Sequence, residues 1–399
     1  MNFIDTLKEN DLYLTDFTKP TIVDAVRAVY NLCGKNFPES PATKEIKKIL
    51  DVPKHILFIL SDGMGSNLID NLNDHSILKK NKIMDLQTVN PSTTGCAIPS
   101  IVTGEYPCTH GLIGWLSHNK KLKIDYLPVL FSERLTGKSL KEFNISEDEI
   151  YQSKSVLNSL SRKSYALFPD YIVDSTFSSF ILESNNRIPY LDIHDAFHQY
   201  KKQILEKNED FTYTYMYLPQ IDSNEHKYGV YSSEVSNIIN IIEDELEKIC
   251  KNTSDLEIIL TADHGQIDVS ESIRMNFDKY SKYFYATPGI DAGTATYYVK
   301  SEYRNEFEQE FNKDYKDKMF LFKIEEIYEN NVFGKEEIGS YIKNNLGEYF
   351  SFCKKGAYFI NSIEEDEELN NLKGNHSGFS KDEIMSPFIV INTKQSLLK

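Results

Sequence analysis

Cysteine is scarce in this chain and tryptophan occurs once. The five cysteines, Cys33, Cys96, Cys108, Cys250 and Cys353, are odd in number and share no C-x-x-C spacing. That pattern excludes a disulfide framework and a cysteine-built zinc site, and it suits a reducing compartment. Long hydrophobic runs are missing too: none approaches the ~20 residues that span a bilayer, so no membrane span is expected. The opening MNFIDTLKENDLYLTDF has early acids and no apolar centre, which does not read as a secretory signal. The expected location is the cytoplasm. Surplus positive charge is also absent. With 44 Lys and Arg against 60 Asp and Glu, the net charge of −16 speaks against binding duplex nucleic acid. An anionic small molecule would need local positive charge to approach. No internal repeat or low-complexity linker is visible, and no feature specifies an oligomeric state.

What is present is material for a large core: 399 residues, 40% of them hydrophobic and 12% aromatic. Residues 1–50 read as a helical segment packing on that core. In TIVDAVRAVYNLCG, Ile22, Val26, Val29 and Tyr30 recur at helical spacing and Gly34 ends the pattern. HILFILSD is a short continuous apolar run, the mark of a buried parallel strand. FTYTYMYLPQID, DLEIILTADHG and SPFIVIN repeat the type. Between the first two of these, EVSNIINIIEDELEKIC carries an apolar helical stripe. Strand, helix, strand in this order predicts an α/β fold, a mostly parallel sheet sandwiched by helices. The α/β core is assigned to 51–280 and 373–399. A variable insertion spans about 116–210, with helices near 151–162 and 194–207. A smaller cap-like α+β region covers 281–372, and the acidic run at 364–368 reads as a solvated loop.

Acids fall where such a fold builds its sites. Asp62, Asp222 and Asp263 each follow an apolar run, and strand ends of a parallel sheet converge. One Asp after a strand is usually a turn residue, but here histidines accompany them. His226 lies four residues after Asp222, His264 adjoins Asp263, and His376 stands in KGNHSGF before the last strand. Mixed Asp and His ligands suit zinc in a hydrolytic site. The other histidines, at 55, 75, 110, 118, 194 and 198, read as surface, capping or core residues. In PSTTGCAIPSIVTG, either Thr93 or Thr94 could cap a helix, or present a hydroxyl where the helix dipole favours an anion. Pro99 removes a helix hydrogen bond, so a distorted or late-starting helix is expected. A threonine hydroxyl becomes a nucleophile only beside a base or a metal. Two divalent cations among three aspartates would leave the site net positive despite the acidic whole.

Five blocks then stand in order between residues 55 and 378: FILSDGMG, STTGCAIPSIVTGEYPCTHGLIGW, IDSNEHKYG, TADHG and GNHSG. Together they resemble the nucleotide pyrophosphatase/phosphodiesterase (type I phosphodiesterase) branch of the alkaline phosphatase superfamily, and bacterial, cytoplasm-type members in particular. The resemblance implies two divalent ions, zinc or alternatively manganese. It gives Asp222, His226 and His376 to one ion and Asp62, Asp263 and His264 to the other. Thr94 would be the nucleophile touching the metal site, with the Gly95 backbone N–H near the substrate, a small-molecule phosphate ester. Secreted-type members carry an asparagine that helps hold a phosphate oxygen where this chain has Ala97. Trp115, close after HGLIG, is a separate candidate for an aromatic wall on which a base stacks. Two in-line displacements through a phosphothreonine are implied. A phosphomonoesterase would want a further cation, for which Lys120, Lys121 and Lys123 stand nearest. A sulfatase is excluded because CAIPS lacks the C-x-P-x-R pattern. A phosphomonoesterase or a phosphonate hydrolase of the same superfamily, and in a different class a non-catalytic nucleotide binder, are the alternatives.

Overall fold

A computed structural model describes residues 2–182, 186–207, 210–360 and 371–396; the acidic run at 364–368 lies outside the described residues. Helices α1 (Phe3–Glu9), α2 (Ile22–Leu32) and α3 (Pro41–Ile49) open the chain. A capping box of Thr21 and Asp24 starts α2, which buries Val23, Val26 and Val29. Ser40 caps α3 with Pro41 in its first turn.

The chain then builds strands β1 (His55–Ser61), β2 (Lys82–Gln87), β3 (Lys163–Pro169), β4 (Arg187–Tyr190), β5 (Thr212–Leu218) and β6 (Leu256–Thr261). A second sheet follows: β7 (Phe284–Ile290), β8 (Thr294–Val299), β9 (Met319–Lys323) and β10 (Tyr349–Cys353). Finally β11 (Met385–Asn392) returns to the first. The central sheet runs β2-β11-β6-β1-β5-β3-β4. β1 lies parallel to β5 and β6, and β3 parallel to β5 and β4. Every residue of β1, β5 and β6 is buried, which is why their sequences are continuous runs rather than alternations. Helix α6 (Ser233–Asn252) covers one face with Val235, Ile239, Ile242 and Leu246.

Three expectations change. The SPFIVIN strand, β11, runs antiparallel to β6 and β2 rather than parallel. The chain enters it from the His376 loop, already at the carboxyl end of the parallel strands, so it can only run back. No α-helix forms over 151–162, where a single 3₁₀ turn, Leu157–Ser159, appears instead. The Ser155 hydroxyl accepts the Leu157 N–H and the Ser159 hydroxyl donates to the Val156 carbonyl, local bonds that compete with a helix. The segment 116–210 is also not wholly an insertion, since β3 and β4 belong to the central sheet.

The second sheet is antiparallel, ordered β7-β8-β10-β9. Helix α7 (Arg304–Tyr315) packs Phe307 and Phe311 against Tyr297 and Tyr349. Phe3 of α1 meets Phe322, Phe352 and Phe379 edge to face, tying the N-terminal segment to both the second sheet and the loop after His376. Among the described residues no helix is long and apolar enough to cross a membrane.

Candidate active site

β6, β1 and β5 are neighbours, so Asp263, Asp62 and Asp222 emerge side by side at one end of the sheet. The backbone N–H of Asp62 donates to the Leu218 carbonyl (3.0 Å) and that of Asp222 to the Asp62 carbonyl (3.1 Å). These bonds hold the two carboxylates in register beyond the strand ends. Asp222 and His226 lie one turn apart on helix α5 (Gln220–Tyr228), with Oδ1 and Nε2 3.4 Å apart. The His376 loop pairs with Ile267–Asp268 in a two-residue antiparallel bridge, which brings His376 Nε2 to 3.8 Å from the same oxygen.

Two groups result. Ligand atoms of Asp222, His226 and His376 lie within 4.8 Å of one another, as do those of Asp62, Asp263 and His264. His264 Nε2 is 3.5 Å from Asp62 Oδ1 and 3.4 Å from Asp263 Oδ2. The groups adjoin: the rings of His264 and His376 stack with centroids 3.9 Å apart. Outer partners orient the ligands. Nδ1 of His226 donates to the Gly374 carbonyl (2.9 Å) and Nδ1 of His376 to the Ser92 carbonyl (3.1 Å), leaving both Nε2 atoms free to face inward. The Tyr217 hydroxyl donates to Asp62 Oδ2 (2.5 Å) and Gln266 Nε2 to Asp222 Oδ1 (2.5 Å).

Electrostatics show what the groups need. Burial, then repulsion from Asp263 and Asp222, pushes the Asp62 carboxyl up, and burial pushes Asp263 up. Against its burial, Asp222 is held well below the usual range by His226, which it raises in turn to about 9. Burial and His264 push His376 down. Asp263 Oδ2 is buried and has no hydrogen-bond partner. An orphaned carboxylate oxygen among crowded acids is costly alone and is answered by a cation. The donor sets, two carboxylates and one imidazole plus one carboxylate and two imidazoles, fit divalent ions such as zinc.

Thr94 is the first residue of helix α4 (Thr94–Thr103), which carries Pro99 within it instead of starting late. Its hydroxyl lies 3.1 Å from His264 Nε2 and 3.4 Å from Asp62 Oδ1. Thr93 is the N-cap by backbone conformation, but its side chain caps nothing. Its hydroxyl donates instead to Asp291 Oδ2 (2.6 Å). Gly95 is packed tightly: a Cβ there would lie 2.8 Å from the Gly114 carbonyl oxygen. Ala97 is wholly buried in the apolar core. Trp115 is 37% exposed, beside Gly95. Lys120 is drawn to Glu348 (3.6 Å). Among the other histidines, His118 pairs with Asp125 (2.6 Å) and His110 with Ser100 (2.8 Å), both in buried settings away from the two groups.

Four neighbours escaped sequence reading. Tyr217 ends a strand like any other aromatic, and Gln266 follows TADHG without a distinguishing signal. Asp291 arrives from the β7–β8 turn, a separate sheet. Tyr171, 74% exposed, follows β3 and lies close enough for the Asp62 charge to raise its hydroxyl, after burial and Asp170.

An α/β fold brings together two Asp/His groups that could each hold a cation and a hydroxyl at a helix start. Residues 56–379 match the type I phosphodiesterase/nucleotide pyrophosphatase family, and the chain belongs to that family. It is therefore placed among the phosphodiesterase and pyrophosphatase hydrolases. No curated protein matches the chain. Among solved structures, murine ectonucleotide pyrophosphatase/phosphodiesterase 5 is similar at 16% identity and a TM-score of 0.63, covering 84% of this chain and 88% of that one. An inactive threonine-to-alanine variant of the murine protein, in complex with AMP, matches at 17% identity and a TM-score of 0.63 over 85% and 88%. The human counterpart matches at 16% and 0.62, over 84% and 87%. At these identities the neighbours establish the fold.

Proposed function

We propose that the protein hydrolyses phosphodiester or pyrophosphate bonds of nucleotide-like small molecules through a phosphothreonine on Thr94. The observation that carries this is the Thr94 hydroxyl, set at a helix start 3.1 Å from His264 Nε2 and 3.4 Å from Asp62 Oδ1, against one of the two Asp/His groups. Asp222, His226 and His376 would hold one divalent cation and Asp62, Asp263 and His264 the other, zinc in our reading with manganese as the alternative. Ions there would supply positive charge that favours the ionised hydroxyl and a departing oxyanion.

Thr94 Oγ1 attacks phosphorus opposite the leaving group, whose P–O bond breaks. Water then cleaves the phosphothreonine and restores the hydroxyl. Helix α4 directs its N-terminal dipole at the phosphoryl oxygens, and the Gly95 N–H is a donor toward them. AMP in the inactive murine variant supports a nucleoside monophosphate as product here. Trp115 and Tyr171 are exposed aromatic faces on which a base can stack. The binding of Lys120 to Glu348 supports a diester over a monoester preference, because that cation is already engaged. Five buried, unpaired cysteines support a cytoplasmic location.

The test is kcat/KM of zinc-loaded protein on matched nucleotide diesters, pyrophosphates and monoesters, with Thr94→Ala beside wild type. Diester turnover lost in Thr94→Ala but with ions retained is expected. Turnover of none of these by the wild type overturns the reading; unchanged turnover by the variant moves the nucleophile elsewhere.

A further inference from the structure

Thr93 occupies the N-cap of α4 in extended conformation, φ −141° and ψ 146°, the geometry from which a threonine hydroxyl ordinarily accepts an N–H of the first turn. It does not do so. Its hydroxyl donates to Asp291 Oδ2 (2.6 Å), while Asp291 Oδ1 accepts the Ala292 N–H (2.8 Å). The Cys96 and Ala97 N–H groups both go to the Thr93 carbonyl (2.9 Å each). The N–H groups of Thr94 and Gly95 find no protein acceptor among the described residues. The free donors thus flank the Thr94 hydroxyl.

Asp291 is not free to wander. It sits in the β7–β8 turn, where Ile290 pairs with Leu116 through two backbone bonds (2.6 and 2.9 Å). The Gly293 N–H donates to Ser377 Oγ (2.7 Å), and a Cβ on Gly293 would lie 2.5 Å from Gly378 N. Gly114 lies against Ile290 and Gly95 against Gly114, at distances that leave no room for a Cβ. One turn of the second sheet is therefore wedged between the nucleophile helix and the His376 loop, with its carboxylate fixed on Thr93.

We propose that Asp291 is a positioning residue that withholds the Thr93 hydroxyl from the helix cap, so that the Gly95 N–H stays open to a phosphoryl oxygen of the substrate. With Asp291 truncated, Thr93 has only to rotate its side chain to accept that N–H. The active helix start is then capped by its own neighbour, and the substrate loses a donor. The cap is withheld from the fold and kept for the reaction. This inference rests on the phosphodiesterase reading with Thr94 as nucleophile.

The test pairs Asp291→Ala with the double variant Asp291→Ala/Thr93→Val, whose residue 93 has no hydroxyl to cap with. Asp291→Ala is expected to lower kcat/KM for a nucleotide diester by about 100-fold, the usual effect of losing one oxyanion donor, and the double variant to recover to within about threefold of wild type. A merely structural role for Asp291 gives no recovery, since removing the Thr93 hydroxyl as well repairs no packing. If Asp291→Ala does not fold, Asp291→Asn keeps an acceptor for Thr93 and is expected to retain activity within about threefold, with the same Tm. The proposal is overturned by a double variant as slow as Asp291→Ala, by an unaffected Asp291→Ala, or by a folded Asp291→Asn that loses activity. Failure of the underlying reading looks different, because the wild type itself would then turn over no diester.

Discussion

Replacing Tyr217 by Phe removes one oxygen and keeps the ring. That oxygen is the donor to Asp62 Oδ2 at 2.5 Å, on a side chain only 7% exposed. Asp62 is buried and pressed by Asp263 and Asp222, and the bond favours its ionised form, which the proposed ion ligand requires. A hydrogen bond to a charged group contributes about 1.5–3 kcal/mol, which at about 1.4 kcal/mol per tenfold is a 10- to 100-fold change in affinity. The loss should fall on the ion held by Asp62, Asp263 and His264, while Asp222, His226 and His376, which Tyr217 does not touch, keep theirs. Competition with a chromophoric chelator, titrating wild type and Tyr217→Phe from the metal-free state, separates the two events. One weakened and one unchanged site are expected, with diester turnover recovered at excess zinc. Unchanged affinity at both sites, or lost activity that zinc does not restore, refutes the role given to Tyr217.

Other perturbations probe the frame around the site. Glu257, 1% exposed, is pushed from 4.5 up to about 7 by burial, which the Asp51 N–H bond opposes and the Asp51 charge reinforces. A carboxyl raised in the folded state stabilises below its unfolded pKa, and that advantage is lost as pH climbs from 4.5 to 7, by about 3 kcal/mol at most. Denaturant midpoints across this range should therefore fall more steeply for wild type than for Glu257→Gln; parallel curves reject the assignment. Gly95→Ala places a Cβ 2.8 Å from the Gly114 carbonyl oxygen, backbone against backbone. It should cost about 1–3 kcal/mol in urea unfolding and reduce kcat, whereas a fully active, equally stable variant contradicts the packing described. Trp115→Ala should raise KM for nucleotide diesters more than for bis-p-nitrophenyl phosphate, and equal effects on both remove it from base binding.

Much of the site is legible in the sequence because its ligands obey short-range rules. Asp62 and Asp263 follow apolar runs, Asp222 and His226 share one helical turn, and His264 adjoins Asp263. Such local spacings survive folding unchanged. The direction of β11 is not local: it depends on where the His376 loop has already taken the chain. Tyr217 and Gln266 are ordinary in type, and only the neighbouring strand or loop shows that each aims at a ligand. Asp291 is the clearest case. Nothing near GIDAG marks it, and it reaches Thr93, 198 positions away, only because the second sheet docks its β7–β8 turn there. The seryl bonds that break the expected helix at 151–162 likewise favour a turn for local reasons that a helical period conceals.

The central claim is that the hydroxyl of Thr94 becomes covalently phosphorylated in each turnover. Acid quenching of the zinc-loaded protein during steady-state hydrolysis of a nucleotide diester, followed by proteolysis and mass spectrometry, tests it directly. The account predicts a phosphoryl or nucleotidyl group on Thr94 that appears with substrate and is absent from Thr94→Ala. Turnover that leaves Thr94 unmodified at every quench time, while Thr94→Ala remains active, contradicts it.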